Sequence, residues 1–175
     1  MELTPTEPEM RTLTFTFNCS LPPAHVLDAA HDFTDRRCDV FPAVEAEHFE
    51  VHSIAEKHAD VTEGTGTGIG TNWERCRYDW STFESVTAAV TDSNVYAPGS
   101  SWTITAIAAP HGSHVEMSWA RQFTHTIRGR LFGTAFRLAG RPIFRKYAKQ
   151  IIDNLDGLRR EPGATRPADA PEGTT

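Results

Sequence analysis

The sequence predicts an α+β domain: a curved antiparallel sheet of about seven strands wrapped around one long C-terminal helix, with two short helices after the first strand. Short segments with apolar residues at alternate positions fill most of residues 11–123. Turn signals such as Pro98-Gly99 and Pro110-His111-Gly112 separate them. From Ile127 the apolar period becomes helical and holds to Leu158.

Arg11–Cys19 sets Leu13, Phe15, Phe17 and Cys19 against Thr12, Thr14, Thr16 and Asn18, which predicts a strand with one wet face. Ser20 is placed to cap a following helix, with Pro22 or Pro23 as its first residue. Val26, Leu27, Ala30 and Phe33 then recur at helical spacing, and a second short helix over 34–41 ends at Phe41-Pro42. His48–Ala55 and Ala59–Glu63 are short strands, and the glycine run from Gly64 to Gly70 is expected to be a flexible connection. Asn72–Phe83 is a long strand. Ser85–Thr91, Ser101–Ala109 and His114–Phe123 follow, rich in β-branched and aromatic residues. In the terminal helix Ile127, Leu131, Ala135 and Leu138 form one stripe, with Phe132, Phe136 and Ala139 beside it. Pro142 cannot donate a backbone hydrogen bond, so a kink is expected there, with two separate helices as the alternative. The sheet has an apolar concave face, and the long helix is the element large enough to cover it. A cavity is expected wherever the helix does not reach.

The chain has 175 residues, 39% of them hydrophobic and 10% aromatic, enough for one domain with its own core over 11–160. Residues 1–10 read as a flexible lead and 161–175 as a disordered tail without large apolar residues. No apolar run is long enough to span a membrane, and the N-terminus lacks the charge and apolar pattern of a secretory signal. Cys19, Cys38 and Cys76 are few and widely spaced, as reduced thiols of a cytoplasmic protein would be.

The net charge of −6 conceals a split. Residues 1–120 hold 18 acidic and 6 basic side chains, whereas 121–149 hold 8 basic and no acidic ones. The basic stretch coincides with the terminal helix. Its surface is a candidate contact for a membrane or an acidic partner, while the acidic remainder argues against nucleic acid.

The element order over 11–158 resembles the SRPBCC superfamily, with its START-like helix-grip fold, and within it the polyketide cyclase/dehydrase group of bacterial proteins. Local likenesses are Phe41-Pro42 after the second helix, the glycine-rich lead into the long strand, and the Gly112–Met117 hairpin exit. Arg141-Pro142-Ile143-Phe144-Arg145 and Asn154–Leu158 in the terminal helix add to them. The resemblance implies a ligand cavity and, in the aromatase/cyclases, an arginine from the long strand inside it. Here Arg75 and Arg77 lie on the opposite parity from Cys76, Tyr78 and Trp80 unless a bulge intervenes.

Parity therefore places Cys76, Tyr78 and Trp80 toward the cavity, with Trp73, Arg75, Arg77 and Asp79 on the other face. Trp102, Met117 and Trp119, with Phe132 and Phe136 from the helix, are candidates to line a pocket for a flat or greasy ligand. Arg121 follows Trp119 on the same parity and is the first candidate anchor for a ligand carboxylate or carbonyl. Tyr78 is the best-placed acid/base candidate, with His52 second if its strand turns the histidine face inward.

No metal site and no cofactor are expected. His48 and His52, read on one strand face, would stand about 13 Å apart, no HExxH or CxxC occurs, and the glycine run lacks dinucleotide-loop spacing. Two functions remain open. One is binding, as carrier, sequestering protein or sensor, of a hydrophobic molecule such as a lipid, quinone or polyketide-like aromatic. The other is a cyclase/dehydrase-type enzyme, with Tyr78 or Arg121 polarising a carbonyl.

Overall fold

The computed structural model describes residues 10–158 except Ile69. The expected lead and tail lie outside these residues, apart from Met10. Seven strands form one antiparallel sheet in the order β1-β7-β6-β5-β4-β3-β2. They are β1 (Arg11–Cys19), β2 (Glu50–Ile54), β3 (His58–Thr67), β4 (Gly70–Asp79), β5 (Ser85–Ser93), β6 (Ser101–Ala109) and β7 (Gly112–Arg121). Helices α1 (Pro23–Ala30) and α2 (Arg37–Val40) lie between β1 and β2, and α3 (Ile127–Leu158) closes the fold. This is the predicted architecture: local periodicity sets each element, and hairpin-length connections make neighbours pair antiparallel.

A row of paired residues shows how the sheet builds its inner face. Tyr78 is opposite Ala88, Ala88 opposite Trp102, Trp102 opposite Trp119, and Trp119 opposite Leu13. Because Ala88 is small, the rings of Tyr78 and Trp102 meet edge-on across it, centroids 5.9 Å apart.

Three local expectations change. The glycine run is not a loose connection, because β3 extends through Gly64 to Thr67. A Cβ at Gly64 would stand 2.9 Å from the Asn72 carbonyl and 3.2 Å from the Trp73 Cβ, so glycine is required by close packing rather than flexibility. Ser20 does not cap α1. Its backbone N–H and its hydroxyl both reach Asp156 Oδ1 at 2.7 Å, tying the end of β1 to the end of α3. His48 belongs to a short 3₁₀ turn, Ala46–His48, rather than to β2.

Helix α3 runs 32 residues without interruption through Pro142. The carbonyl that Pro142 leaves without a donor belongs to Leu138, a well-exposed position where water can serve. Ala148, Ile151, Ile152 and Leu155 bury the second half of α3, while the first half buries only Gly129, Phe136 and Gly140. Among the described residues no helix is long and apolar enough to cross a membrane.

Candidate ligand cavity

Between the concave sheet face and the middle of α3 lies a cavity of about 260 Å³. Trp102, Met117 and Trp119 form its floor, with Phe144 and Tyr147 of α3 above and Phe41 beside α2. Trp119 meets Phe144 edge-on at 5.4 Å and Tyr147 at 5.9 Å, so sheet and helix join through rings. The volume lies just under the roughly 300–1,000 Å³ of drug-sized sites, which suits a compact ligand.

One wall carries two acids. Glu63 on β3 and Glu74 on β4 are directly opposite each other, and both line the cavity. Such neighbours would repel, and each is neutralised by an arginine from a different element. Arg37 of α2, fully enclosed, donates from Nε to Glu63 Oε1 at 2.7 Å, from one terminal nitrogen to Tyr78 Oη at 2.8 Å and from the other to the Ala30 carbonyl at 2.8 Å. Tyr78 in turn donates to Glu63 Oε2 at 2.7 Å. The guanidinium lies 3.9 Å from the Phe41 ring centroid. Arg121 of β7 grips Glu74 with both terminal nitrogens, at 2.7 and 3.2 Å, and lies 4.2 Å from the Tyr96 ring centroid. Burial opposes the charge on both arginines, but the facing carboxylates more than offset it and hold both cationic.

With both glutamates occupied, the polar groups left over are phenols and indoles, all able to donate. Among the described residues the hydroxyls of Tyr96 and Tyr147 and the indole N–H groups of Trp102 and Trp119 make no hydrogen bond. Among the described residues the one unpartnered side-chain nitrogen or oxygen sealed from all open space is Arg121 Nε, so these groups border open volume. Burial pushes both tyrosine hydroxyls up, and they stay protonated.

Of the residues singled out by the sequence, Trp102, Met117, Trp119 and Arg121 line this cavity. Arg121 is not a free anchor, because Glu74 already takes its charge. Cys76 and Tyr78 face inward but are wholly enclosed behind the cavity wall. Tyr78 cannot polarise a ligand while Arg37 and Glu63 occupy its hydroxyl. Trp80 packs farther out against His31 and Phe33 and donates to the Glu56 carbonyl. Phe136 is kept off the cavity by Phe123 and Phe144, at 5.3 and 5.2 Å. Phe132 is only half-buried, with Arg128 at 5.7 Å, on the exposed half of α3. His52 sits at a bulge in edge strand β2 and bonds Thr62, away from the cavity.

Arg75 and Arg77 keep their outward parity: Arg75 pairs with Asp60 and Arg77 is exposed. A bulge does occur nearby, but it lies in β5, where Thr91 is the extra residue, and leaves the alternation of β4 intact. Trp73 keeps the outward parity as well, on the side of Gly64 and His48, and meets the cavity only at its rim.

Sequence reasoning missed Arg37, Glu63, Glu74 and Tyr147. A signal existed for the acids, since Glu63 shares parity with Ala59 and Val61, and Glu74 with Cys76 and Tyr78. A charge on an apolar face needs a buried counter-charge.

No protein-family model and no curated protein sequence matches the chain. Solved structures do. A Streptomyces aromatase/cyclase superposes with TM-score 0.69 at 11% identity, covering 86% of this chain and 93% of that one. The chain has the START-like helix-grip fold. A START superfamily protein from Mycobacterium smegmatis gives 0.59 at 6% identity, covering 85% and 95%. A major latex-like protein from Panax ginseng gives 0.61 at 8%, covering 87% and 99%. At such identities the shared property is the fold, and activity has to be argued from the site.

Proposed function

We propose that this helix-grip domain binds a compact, flat hydrophobic molecule, uncharged and bearing acceptor oxygens, in the cavity between Trp102, Trp119 and Tyr147. Quinones and polyketide-like aromatics fit this description better than fatty acids. The observation that carries the reading is the balance of the lining: aromatic walls, both arginines neutralised by glutamates, and phenol and indole groups left free to donate. A ligand carboxylate would meet no free cation there, whereas a carbonyl would meet Tyr147 or an indole N–H. The aromatase/cyclase and START superfamily neighbours support a cavity of this kind.

Thermal-shift and tryptophan-fluorescence titrations with a naphthoquinone, an aromatic ketone and a fatty acid test it. Saturation with one of the first two at about a hundred times its Kd should stabilise the fold by about 2.7 kcal/mol and quench Trp fluorescence, with Trp119→Ala abolishing both. Absence of any shift or quenching across the panel overturns the reading, and so does preference for the fatty acid.

The second reading is cyclase-type chemistry. It is favoured by Tyr147, a protonated and unpartnered phenol able to donate to a developing enolate oxygen. In that case Tyr147→Phe changes the products formed from a poly-β-ketone substrate while ligand affinity is retained. An unchanged product profile removes it.

A further inference from the structure

The first half of α3 turns large apolar side chains away from the protein. Ile127 is 89% exposed, Leu131 58% and Leu138 83%. At 100° per residue these three fall within about 40° of one another on the helix wheel, with exposed Thr134 and Ala135 in the same sector. Arg130, Arg137 and Arg141 stand exposed along one flank, and Arg145 and Lys146 continue the basic surface. Residues 127–146 hold six basic side chains and no acidic one.

Apart from Arg128 and Arg141, whose guanidinium lies 5.5 Å from the Phe15 ring centroid, these cations take no part in the ion pairs of the described residues. Arg128 fastens the start of α3 to β4 through the Thr71 carbonyl and Asn72 Oδ1. Arg121 and Arg37 serve the buried glutamates. Among the described residues Arg130, Arg137, Arg145 and Lys146 make no ion pair.

We infer that the outer face of the first half of α3 docks on an anionic lipid surface, with the helix axis parallel to the bilayer. Ile127, Leu131 and Leu138 enter the headgroup–acyl boundary, while the arginines extend to lipid phosphates. Charge decides between occupants. The acidic body is repelled by an anionic bilayer and the basic helix attracted, so one orientation is selected. The apolar residues sit on a convex helical surface, which a fluid bilayer accepts without a complementary groove.

The test is co-sedimentation of the full chain with vesicles of phosphatidylcholine alone and of equal parts phosphatidylcholine and phosphatidylglycerol. Binding is expected to the anionic vesicles and to weaken as salt is added. Arg130→Gln and Arg137→Gln should each lower the partition constant about fivefold. Leu131→Ser with Leu138→Ser should lower it at least about tenfold at unchanged salt sensitivity. All four positions are exposed, so the melting temperature serves as the folding control.

No binding to anionic vesicles at low salt overturns the proposal, as does binding indifferent to the leucine variants. Equal, leucine-independent binding to polyglutamate overturns it in favour of an acidic protein. A salt-sensitive dimer dispersed by Arg137→Glu overturns it in favour of a second copy. Each outcome is independent of whether the cavity binds a quinone or a ketone.

Discussion

Both halves of α3 carry large apolar side chains, yet only the second half buries most of its own. Ala148, Ile151, Ile152 and Leu155 close over the sheet, and Asn154 donates to the Val40 carbonyl at the end of α2. In the first half Ile127, Leu131 and Leu138 face outward beside Arg130 and Arg137, which make no ion pair among the described residues. The difference teaches that an apolar stripe on a helix becomes core only where another element presents a complementary face. Opposite the second half stand the sheet, α2 and the enclosed Arg37–Glu63–Tyr78 cluster. Opposite the outward stripe stands none of the described residues.

The gripping side should therefore respond steeply to substitution and the outward side hardly at all. The largest effect is expected for Arg37→Met, which leaves Glu63 buried without its cation and costs about 3–5 kcal/mol in urea denaturation. Adding Glu63→Gln should recover part of that loss. If the single variant is as stable as the parent, the cluster does not hold this side together. Leu155→Ala and Ile151→Ala, both fully buried, should each cost about 2–5 kcal/mol by the same measurement.

Alkaline pH gives a smaller and cooperative effect. The chain has three tyrosines, Tyr78, Tyr96 and Tyr147, all in or behind the cavity wall, and burial raises each above the ordinary value of 10.0. An unfolded chain releases these protons near pH 10 while the folded chain keeps them. Their contribution to stability is thus complete below pH 10 and lost as pH climbs toward the folded values. Phenolate absorbance should be silent in the native protein just above pH 10 and appear together with unfolding. A separate, reversible titration near pH 10 in folded protein would contradict this. The smallest effect is expected on the outward half, where Leu138→Ser should change stability by no more than about 0.5 kcal/mol.

The outward stripe also marks where sequence reasoning stops. Ile127, Leu131, Ala135 and Leu138 have the spacing of a core face, and nothing in their pattern says which way that face turns. Phe132 and Phe136 were expected in the cavity on the same grounds. One is half-exposed, and the other is blocked by Phe123, a residue that follows β7 and reaches the helix only in three dimensions. Trp102, Met117 and Trp119 were placed correctly toward the interior, since strand alternation is strict and β6 and β7 carry no bulge between them. Their use as ligand contacts is the proposal, and the titrations above decide it.

The sequence by itself determined the order of the elements, their antiparallel pairing, the inward parity of the sheet and the concentration of positive charge on α3. All of these follow from local spacing, because backbone geometry repeats every two residues in a strand and every 3.6 in a helix. The tertiary structure alone decided that Arg37 meets Glu63 and Tyr78, separated by 26 and 41 residues in sequence, and that Arg121 reaches Glu74 across 47. It also decided that Tyr147 is left as a free donor in the cavity and that the leucines of the first half of α3 find no cover among the described residues. Such pairings depend on how whole elements pack, and no local period encodes which side chains a folded chain brings face to face.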